Sequence, residues 1–323
     1  MGDASFQRQL GQLCRERRFR LDALEAESAA FIDYLSQLEI AHRVDAEAIW
    51  LVDDIDLIDA ASIQKSCEAM SSAQEPGWHY RLVTGSTNVD ALRYFDQFQQ
   101  PVIAFAEAQT GGRGRRGNLW YSPFAKNIYC TVGLIKSIEP ASLGLLSIVT
   151  GLALCDGLVE SGIPGVQLKW PNDLYFKDQK LGGILIETRP MKAGQYFLAI
   201  GFGINVLMTT EALAGVGQAA TSLQLISPHQ VSRERVLQQT IIRVVDRIAG
   251  FDASMIPALV KAFNARDVLA NRRVNVTTSG PNGESQTLQG FNQGIAPNGQ
   301  LRVDTEQGPR LFSAAEISLR SSR

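Results

Sequence analysis

Between residues 78 and 265 the apolar positions switch repeatedly between two spacings. Short runs at Val102–Glu107, Asn127–Ile135, Gln167–Trp170, Leu174–Phe176, Gly183–Glu187 and Gln195–Ile200 have the texture of strands. Thr87–Phe98, Ser142–Ser161 and Ser232–Ala249 keep the three-to-four spacing of helices with one apolar face. This alternation predicts a mixed sheet with helices packed on it. Asp173–Glu187 is predicted to fold back as a hairpin around Lys177–Lys180.

The flanking regions differ. Near the start, Phe6, Leu10 and Leu13 have helical spacing, and Leu21–Ala26 and Ala29–Leu38 predict two more helices. The apolar runs Ile49–Val52 and Ile55–Ile58 then predict a strand pair. Helices followed by a hairpin suggest a winged helix-turn-helix. From residue 271 onward the runs Arg273–Thr277, Gln286–Gln293, Leu301–Thr305 and Arg310–Ser313 are separated by turns at GPNG (280–283), APNG (296–299) and EQG (306–308). Asn-Gly pairs accept the positive φ of tight hairpins, so a small β-barrel is predicted. The expected division is 1–62, 63–268 and 269–323, with an α+β class overall.

Composition narrows this picture. The 323 residues are 45% apolar and carry a net charge of −2, which gives no bulk attraction to nucleic acid or to an anionic membrane. Cys14, Cys67, Cys130 and Cys155 are far apart and form no CxxC pair, so neither a zinc site nor a disulfide framework is expected. Ala141–Val159 approaches the length of a membrane span, but its glycines and Asp156 favour a helix buried on a sheet. The opening MGDASFQRQL lacks the pattern of a secretory signal, and a cytoplasmic location with no membrane partner is expected.

Four segments carry candidate chemistry. In Gly111–Gly117 three arginines alternate with four glycines after an apolar strand. Arginine offers a fixed fork of donors to carboxylate and phosphate, and the glycines predict a loop that is mobile when empty. An anion-binding lid, an exposed basic turn and an RGG-like RNA contact all fit this composition. In Lys169–Asp173 (KWPND), Pro171 ends a strand and Asn172-Asp173 supplies turn chemistry. Lys180 precedes Leu181-Gly182-Gly183, and Ile200–Val206 (IGFGINV) carries two more glycines. Such glycines mark a bulge or the close approach of a ligand. Ser86-Thr87-Asn88 opens a helix, where it is either an ordinary cap or a polar site.

Taken in order, STN at 86–88, Gln109, GRGRRG at 112–117, KWPND at 169–173, KLGGIL at 180–185, GFGINV at 201–206 and EISLR at 316–320 resemble the biotin–protein ligase family. The resemblance implies a mixed α/β catalytic domain with an SH3-like C-terminal domain. It implies a two-step reaction in which biotin and ATP give biotinyl-5′-AMP with Mg²⁺, and a carrier lysine then takes the biotin. It places Ser86, Thr87, Asn88 and Gln109 around the biotin ring. Arg113, Gly114, Arg115 and Lys180 fall at the carboxylate and phosphate, with Lys180 and Arg115 catalytic. Arg113, Arg115, Arg116, Trp120, Asn172, Lys180 and Asn205 are assigned to ATP and adenylate, and Asp173 to the metal. The biotin carboxyl carrier protein of acetyl-CoA carboxylase is the implied partner, and a homodimer is compatible with the family.

Bifunctional members of the family also repress biotin genes through an N-terminal winged helix. Here residues 21–60 hold one arginine, Arg43, against eleven acids: Asp22, Glu25, Glu27, Asp33, Glu39, Asp45, Glu47, Asp53, Asp54, Asp56 and Asp59. Ser28–Leu38, the natural recognition helix, has no Lys or Arg, which weighs against DNA as a partner. Alternatives to ligation of biotin are a lipoate–protein ligase, an octanoyl transferase and a biotin-sensing repressor without ligase activity. No His-Asp pair follows Gly117 as the first would need, and Cys130 and Cys155 fit buried positions better than the activated thiol of the second.

Overall fold

The computed structural model describes residues 6–68, 70, 75–279, 285–313 and 317–321. The chain opens with α1 (Phe6–Glu16), which buries Phe6, Leu10, Leu13 and Cys14 along one stripe. After β1 (Arg18–Arg20), Leu21–Glu27 forms a 3₁₀ turn with no side-chain cap at its start, where an α-helix was expected. Then come α2 (Ser28–Gln37), β2 (His42–Val44) and β3 (Ala48–Leu51), giving a small sheet in the order β1-β3-β2. The hairpin is therefore 42–51. Ile55–Ile58 is not its second strand, because side chains from elsewhere take that segment's backbone groups. Ile58 N donates to Glu107 Oε1 (2.7 Å), and Asp56 O accepts from Arg233 Nη2 (2.5 Å).

The central body begins with α3 (Ala60–Ser66), capped by the Asp59 carboxylate at Ala61 N and Ser62 N. It continues through β4 (Gly77–Thr84), α4 (Thr87–Phe98), β5 (Val102–Gln109), β6 (Ile128–Ser137) and α5 (Leu146–Glu160). Next follow β7 (Gln167–Lys169), β8 (Asp173–Phe176), β9 (Gln179–Pro190) and β10 (Gln195–Ile204). The short α6 (Thr210–Ala214) and α7 (Leu223–Ile226) precede α8 (Arg233–Gly250) and α9 (Ile256–Asn264). The sheet runs β4-β5-β6-β10-β9-β8-β7; β4 and β5 are parallel and every other neighbouring pair is antiparallel.

The apolar span at Pro140–Glu160 is a 3₁₀ turn followed by α5. Protein covers α5: Ile148, Val149, Leu152 and Leu158 are buried in the main core with Val236, Ile241 and Val244 of α8. A Cβ at Gly157 would stand 3.0 Å from the α8 backbone, so glycine lets the two helices close up. On the opposite face α4 packs Ala91 and Phe95 against Val102, Ala104, Phe197 and Ala199.

The last strands are β11 (Arg273–Ser279), β12 (Ser285–Ile295), β13 (Leu301–Thr305), β14 (Gly308–Phe312) and β15 (Ile317–Ser321), in the order β14-β13-β12-β11-β15. All are antiparallel. The GPNG turn and Glu316 lie outside the described residues. Val274, Val276, Leu301 and Val303 join the main core, and Trp170 Nε1 donates to Gly299 O (2.9 Å), so this sheet is bonded to the end of β7.

One buried ion pair joins several elements. Arg233 Nη1 lies 2.7 Å from Glu107 Oε2, with side-chain exposures of 1% and 0%. Glu107 also accepts from Tyr80 OH (2.9 Å) and Ile58 N, and Arg233 donates to Asn127 O (3.1 Å). Removing one partner strands a charge in low dielectric. Arg233→Met is therefore expected to lower unfolding free energy by about 3–5 kcal/mol, and E107Q/R233M to recover part of that loss. Urea melts of the three proteins check this; equal midpoints for R233M and wild type would contradict it.

All four cysteines are buried and unpaired. Burial pushes the thiols up, to about 12 at Cys14 and Cys155 and about 11 at Cys67, with Cys130 shifted in the same direction. At pH 8 a disulfide reagent should titrate no thiol in the native protein and four after guanidinium denaturation. Fast native labelling would contradict the packing.

Candidate active site

The floor of the site is one row across four strands. Gly203 of β10 pairs with Gly183 of β9, Gly183 with Asp173 of β8, and Asp173 with Lys169 of β7. Side chains at paired positions point to one face, so two bare glycines lie beside a carboxylate and an ammonium. Trp120 lies on the glycines. A Cβ at Gly203 would stand 2.5 Å from its Nε1, and one at Gly183 would stand 3.5 Å from its Cζ3. Among the described residues the buried indole N–H has no hydrogen-bond partner, an arrangement that costs about 1–3 kcal/mol.

The arginine loop forms the wall. It is folded as a hairpin: Trp120 N donates to Gly112 O (2.9 Å), and Gly114 N donates to Asn118 O (2.7 Å). At its tip Arg116 has φ 58° and Gly117 φ 74°. Gly112 is required by space, since a Cβ there would stand 2.7 Å from both Ser122 Oγ and Trp120 O. These paired hydrogen bonds give the glycine–arginine segment a defined hairpin shape.

The inner end is polar. Ser86 is the N-cap of α4, yet its hydroxyl makes no capping bond, so the ordinary cap reading does not account for it. Thr87 donates to Gln109 Oε1 from N (3.0 Å) and Oγ1 (3.3 Å), and Gln109 Nε2 donates to Ser122 Oγ (3.2 Å). Thr131 Oγ1 stands 2.9 Å from Thr87 Oγ1 and 2.7 Å from Asn88 Oδ1. Asn88 Nδ2 donates to Leu185 O (3.2 Å) and Glu187 Oε2 (2.8 Å). Thr131 and Glu187 were not anticipated; the only sequence signal for Thr131 is an aliphatic hydroxyl inside the largely apolar strand Ile128–Leu134.

A cavity of about 550 Å³ connects these parts. Its lining brings together Ser86, Thr87, Asn88, Gln109, Arg113, Gly114, Arg115, Arg116, Trp120, Asn172, Asp173 and Lys180, with Lys169 and Tyr175 in addition. Five of the lining side chains are cationic (Arg113, Arg115, Arg116, Lys169 and Lys180), against one carboxylate, Asp173. Lys180 Nζ is 2.9 Å from Asp173 Oδ1 and 5.4 Å from the centre of the Trp120 ring. Arg113 Nη2 is 3.7 Å from Glu187 Oε2, and Arg115 Nη1 donates to Asn172 Oδ1 (3.4 Å). Burial, and then the neighbouring Arg116, pull the Arg115 pKa down while Asp173 opposes them, and an anion placed here would likewise favour the charged guanidinium.

Asn205 is not in the lining. Its Nδ2 donates to Thr221 O (3.0 Å) and its N–H to Leu181 O (2.9 Å), which fixes the strand end beneath the site. Among the described residues no three His, Cys, Asp or Glu side chains cluster as a metal cage.

Residues 80–205 match the sequence profile of the Biotin/lipoate A/B protein ligase family. The chain is 29% identical to the "Bifunctional ligase/repressor BirA" of Escherichia coli K12, over 84% of this chain and 81% of that protein. It is 31% identical to the "Biotin--[acetyl-CoA-carboxylase] ligase" of Mycobacterium tuberculosis, over 75% and 89% respectively. Among solved structures it is similar to the biotin protein ligase from Aquifex aeolicus in complex with biotin and ATP, with TM-score 0.62 and 26% identity over 76% of this chain and 99% of that one. A chain that is 31% identical to such a ligase over three quarters of its own length belongs to the biotin–protein ligase family.

Proposed function

We propose that this chain activates biotin with ATP to biotinyl-5′-AMP and transfers it to a lysine of the biotin carboxyl carrier protein of acetyl-CoA carboxylase. The observation that carries this reading is the excess of four positive charges in the lining of one cavity whose inner end is polar. A carboxylate and a triphosphate repel each other. Fixed cations cancel that repulsion and stabilise the charge that develops during transfer.

In this reading Ser86, Thr87, Asn88 and Gln109 receive the ureido ring, and Trp120 and the glycine floor flank the chain and nucleotide. A biotin carboxylate oxygen attacks the α-phosphorus, and the bond to the pyrophosphate oxygen breaks. Lys180, Arg113 and Arg115 hold the oxygens that share the charge, with Arg116 at the mouth. The carrier amine then attacks the acyl carbon, the bond to AMP breaks, and the amine proton leaves. Asn172 orients Arg115, as its Oδ1 does in the structure. A closed arginine hairpin keeps water from the mixed anhydride.

Asp173 is the one carboxylate in the lining, which fits Mg²⁺, an ion that takes one or two protein carboxylates and otherwise phosphate and water. Bound there with the nucleotide, it would supply further positive charge to the phosphates. Asn205 supports the strand end through the bond from its Nδ2 to Thr221 O.

The N-terminal helix, strand, helix and hairpin are read as a winged-helix-like module, and the last sheet as an SH3-like domain. Repression is not part of the proposal. The exposed positions of α2 are Ala29, Ala30, Asp33, Ser36 and Gln37, and of the early basic cluster Arg15, Arg17, Arg18 and Arg20 the last three are paired with Asp54, Glu47 and Asp22. DNA affinity draws largely on cations free to meet phosphate.

Biotin-dependent release of pyrophosphate, with lipoate as the control, tests the assignment: release with biotin alone is expected, and release with lipoate alone overturns it. Lys180→Met should slow adenylate formation by about 10²–10³ in single turnover, while an effect confined to transfer would place the lysine elsewhere. Arg115→Gly should loosen the hairpin and free the adenylate, read as faster release of biotinyl-AMP and biotin labelling of bystander proteins. An unchanged release rate would reject that role.

A further inference from the structure

The polar inner end and the arginine hairpin meet at one oxygen. Glu187 Oε2 accepts from Asn88 Nδ2 (2.8 Å) and lies 3.7 Å from Arg113 Nη2. Neither Glu187 nor Thr131 is in the cavity lining, and the two-step reaction leaves both without a task. Asn88 is 4% exposed and sits over Gly201, where a Cβ would collide with its amide. On β9, Gly183, Leu185 and Glu187 are alternate residues and share one face, so this carboxylate belongs to the floor on which Trp120 rests.

The supply of hydrogens fixes the direction of the bonds in this group. Asn88 Nδ2 faces Leu185 O and the Glu187 carboxylate, and both of these only accept. The amide is therefore held one way round, with Oδ1 2.7 Å from Thr131 Oγ1. Thr131 has one hydroxyl hydrogen and gives it to that oxygen. Its 2.9 Å contact with Thr87 Oγ1 then draws on the Thr87 hydrogen, which Gln109 Oε1 also claims at 3.3 Å. The Thr87 hydroxyl has no hydrogen left for a ligand and meets the cavity as an acceptor, matched to a ligand N–H. At the other end, the Arg113–Glu187 pair is long and partly exposed, hence weak. A ligand carboxylate can take Arg113 over while the bond from Asn88 to Glu187 stays.

We propose that Glu187 is a positioning and specificity-determining residue: from one oxygen it orders, through Asn88 and Thr131, the hydroxyl that meets the ligand ring, and it keeps Arg113 in place for the ligand carboxylate. This rests on the reading of the site as a biotin site. A site whose buried polar groups are already committed to one hydrogen-bond pattern rejects ligands that cannot complete it.

The test is calorimetric titration of biotin, and of biotinol with its alcohol in place of the carboxylate, into full-length wild type, Glu187→Gln, Glu187→Leu, Thr131→Val and Thr131→Ser. E187Q keeps an oxygen for Asn88 and drops the charge, so it should bind biotin about twofold to fivefold tighter and leave biotinol within about twofold of wild type. E187L also removes the acceptor and should weaken biotinol about tenfold. T131V breaks the row of hydroxyls without touching Arg113 and should weaken both ligands about tenfold, and T131S should restore them. Equal effects on biotin and biotinol in E187Q, no effect on either included, overturn the proposal. So does unchanged biotinol binding in E187L, or unchanged binding of either ligand in T131V. Failure of wild type to bind biotin overturns instead the functional reading on which the proposal rests.

Discussion

The close approach of the Trp120 indole to the backbone at Gly183 and Gly203 sets the dimensions of the site. Any side chain at Gly203 would lift the ring. The ring's backbone in turn closes the arginine hairpin through Gly112 O and holds Ser122, which holds Gln109. The position of the cations and the shape of the polar end thus both descend from one packing contact. It is available only because β9 and β10 place their glycines opposite each other.

Charge completes what packing begins. The site holds its lysine against Asp173 and an arginine against Glu187, so part of its positive field is compensated internally. A substrate anion exchanges one carboxylate partner for another and does not meet bare charge. The net excess remains, and it is what a polyanion encounters.

Much of this was legible in the sequence because the signals are local. The helix at Thr87–Phe98 and the strand at Leu301–Thr305 were placed to the residue, since their periodicity and their boundary residues agree. The site motifs were legible because glycine runs beside arginine and lysine are chemically unusual. What was missed depends on contacts distant in the chain. Ile55–Ile58 has strand texture, but Glu107 and Arg233 claim its backbone from about fifty and nearly 180 residues away. β4 was not anticipated, since its exposed edge carries half-buried polar residues and no clear alternation. Asn205 lies in one of these motifs, and only the fold shows its Nδ2 bonded to Thr221 O.

The bond from the Trp170 indole to Gly299 O has a consequence for the architecture as a whole. Trp170 is buried, and it immediately precedes the turn that carries Asn172 and Asp173. Any shortened chain ending ahead of residue 299 strips that donor of its acceptor and opens the apolar seam around Leu301 and Val303. The terminal sheet is therefore no detachable appendage: it is the abutment on which the edge of the catalytic face is seated.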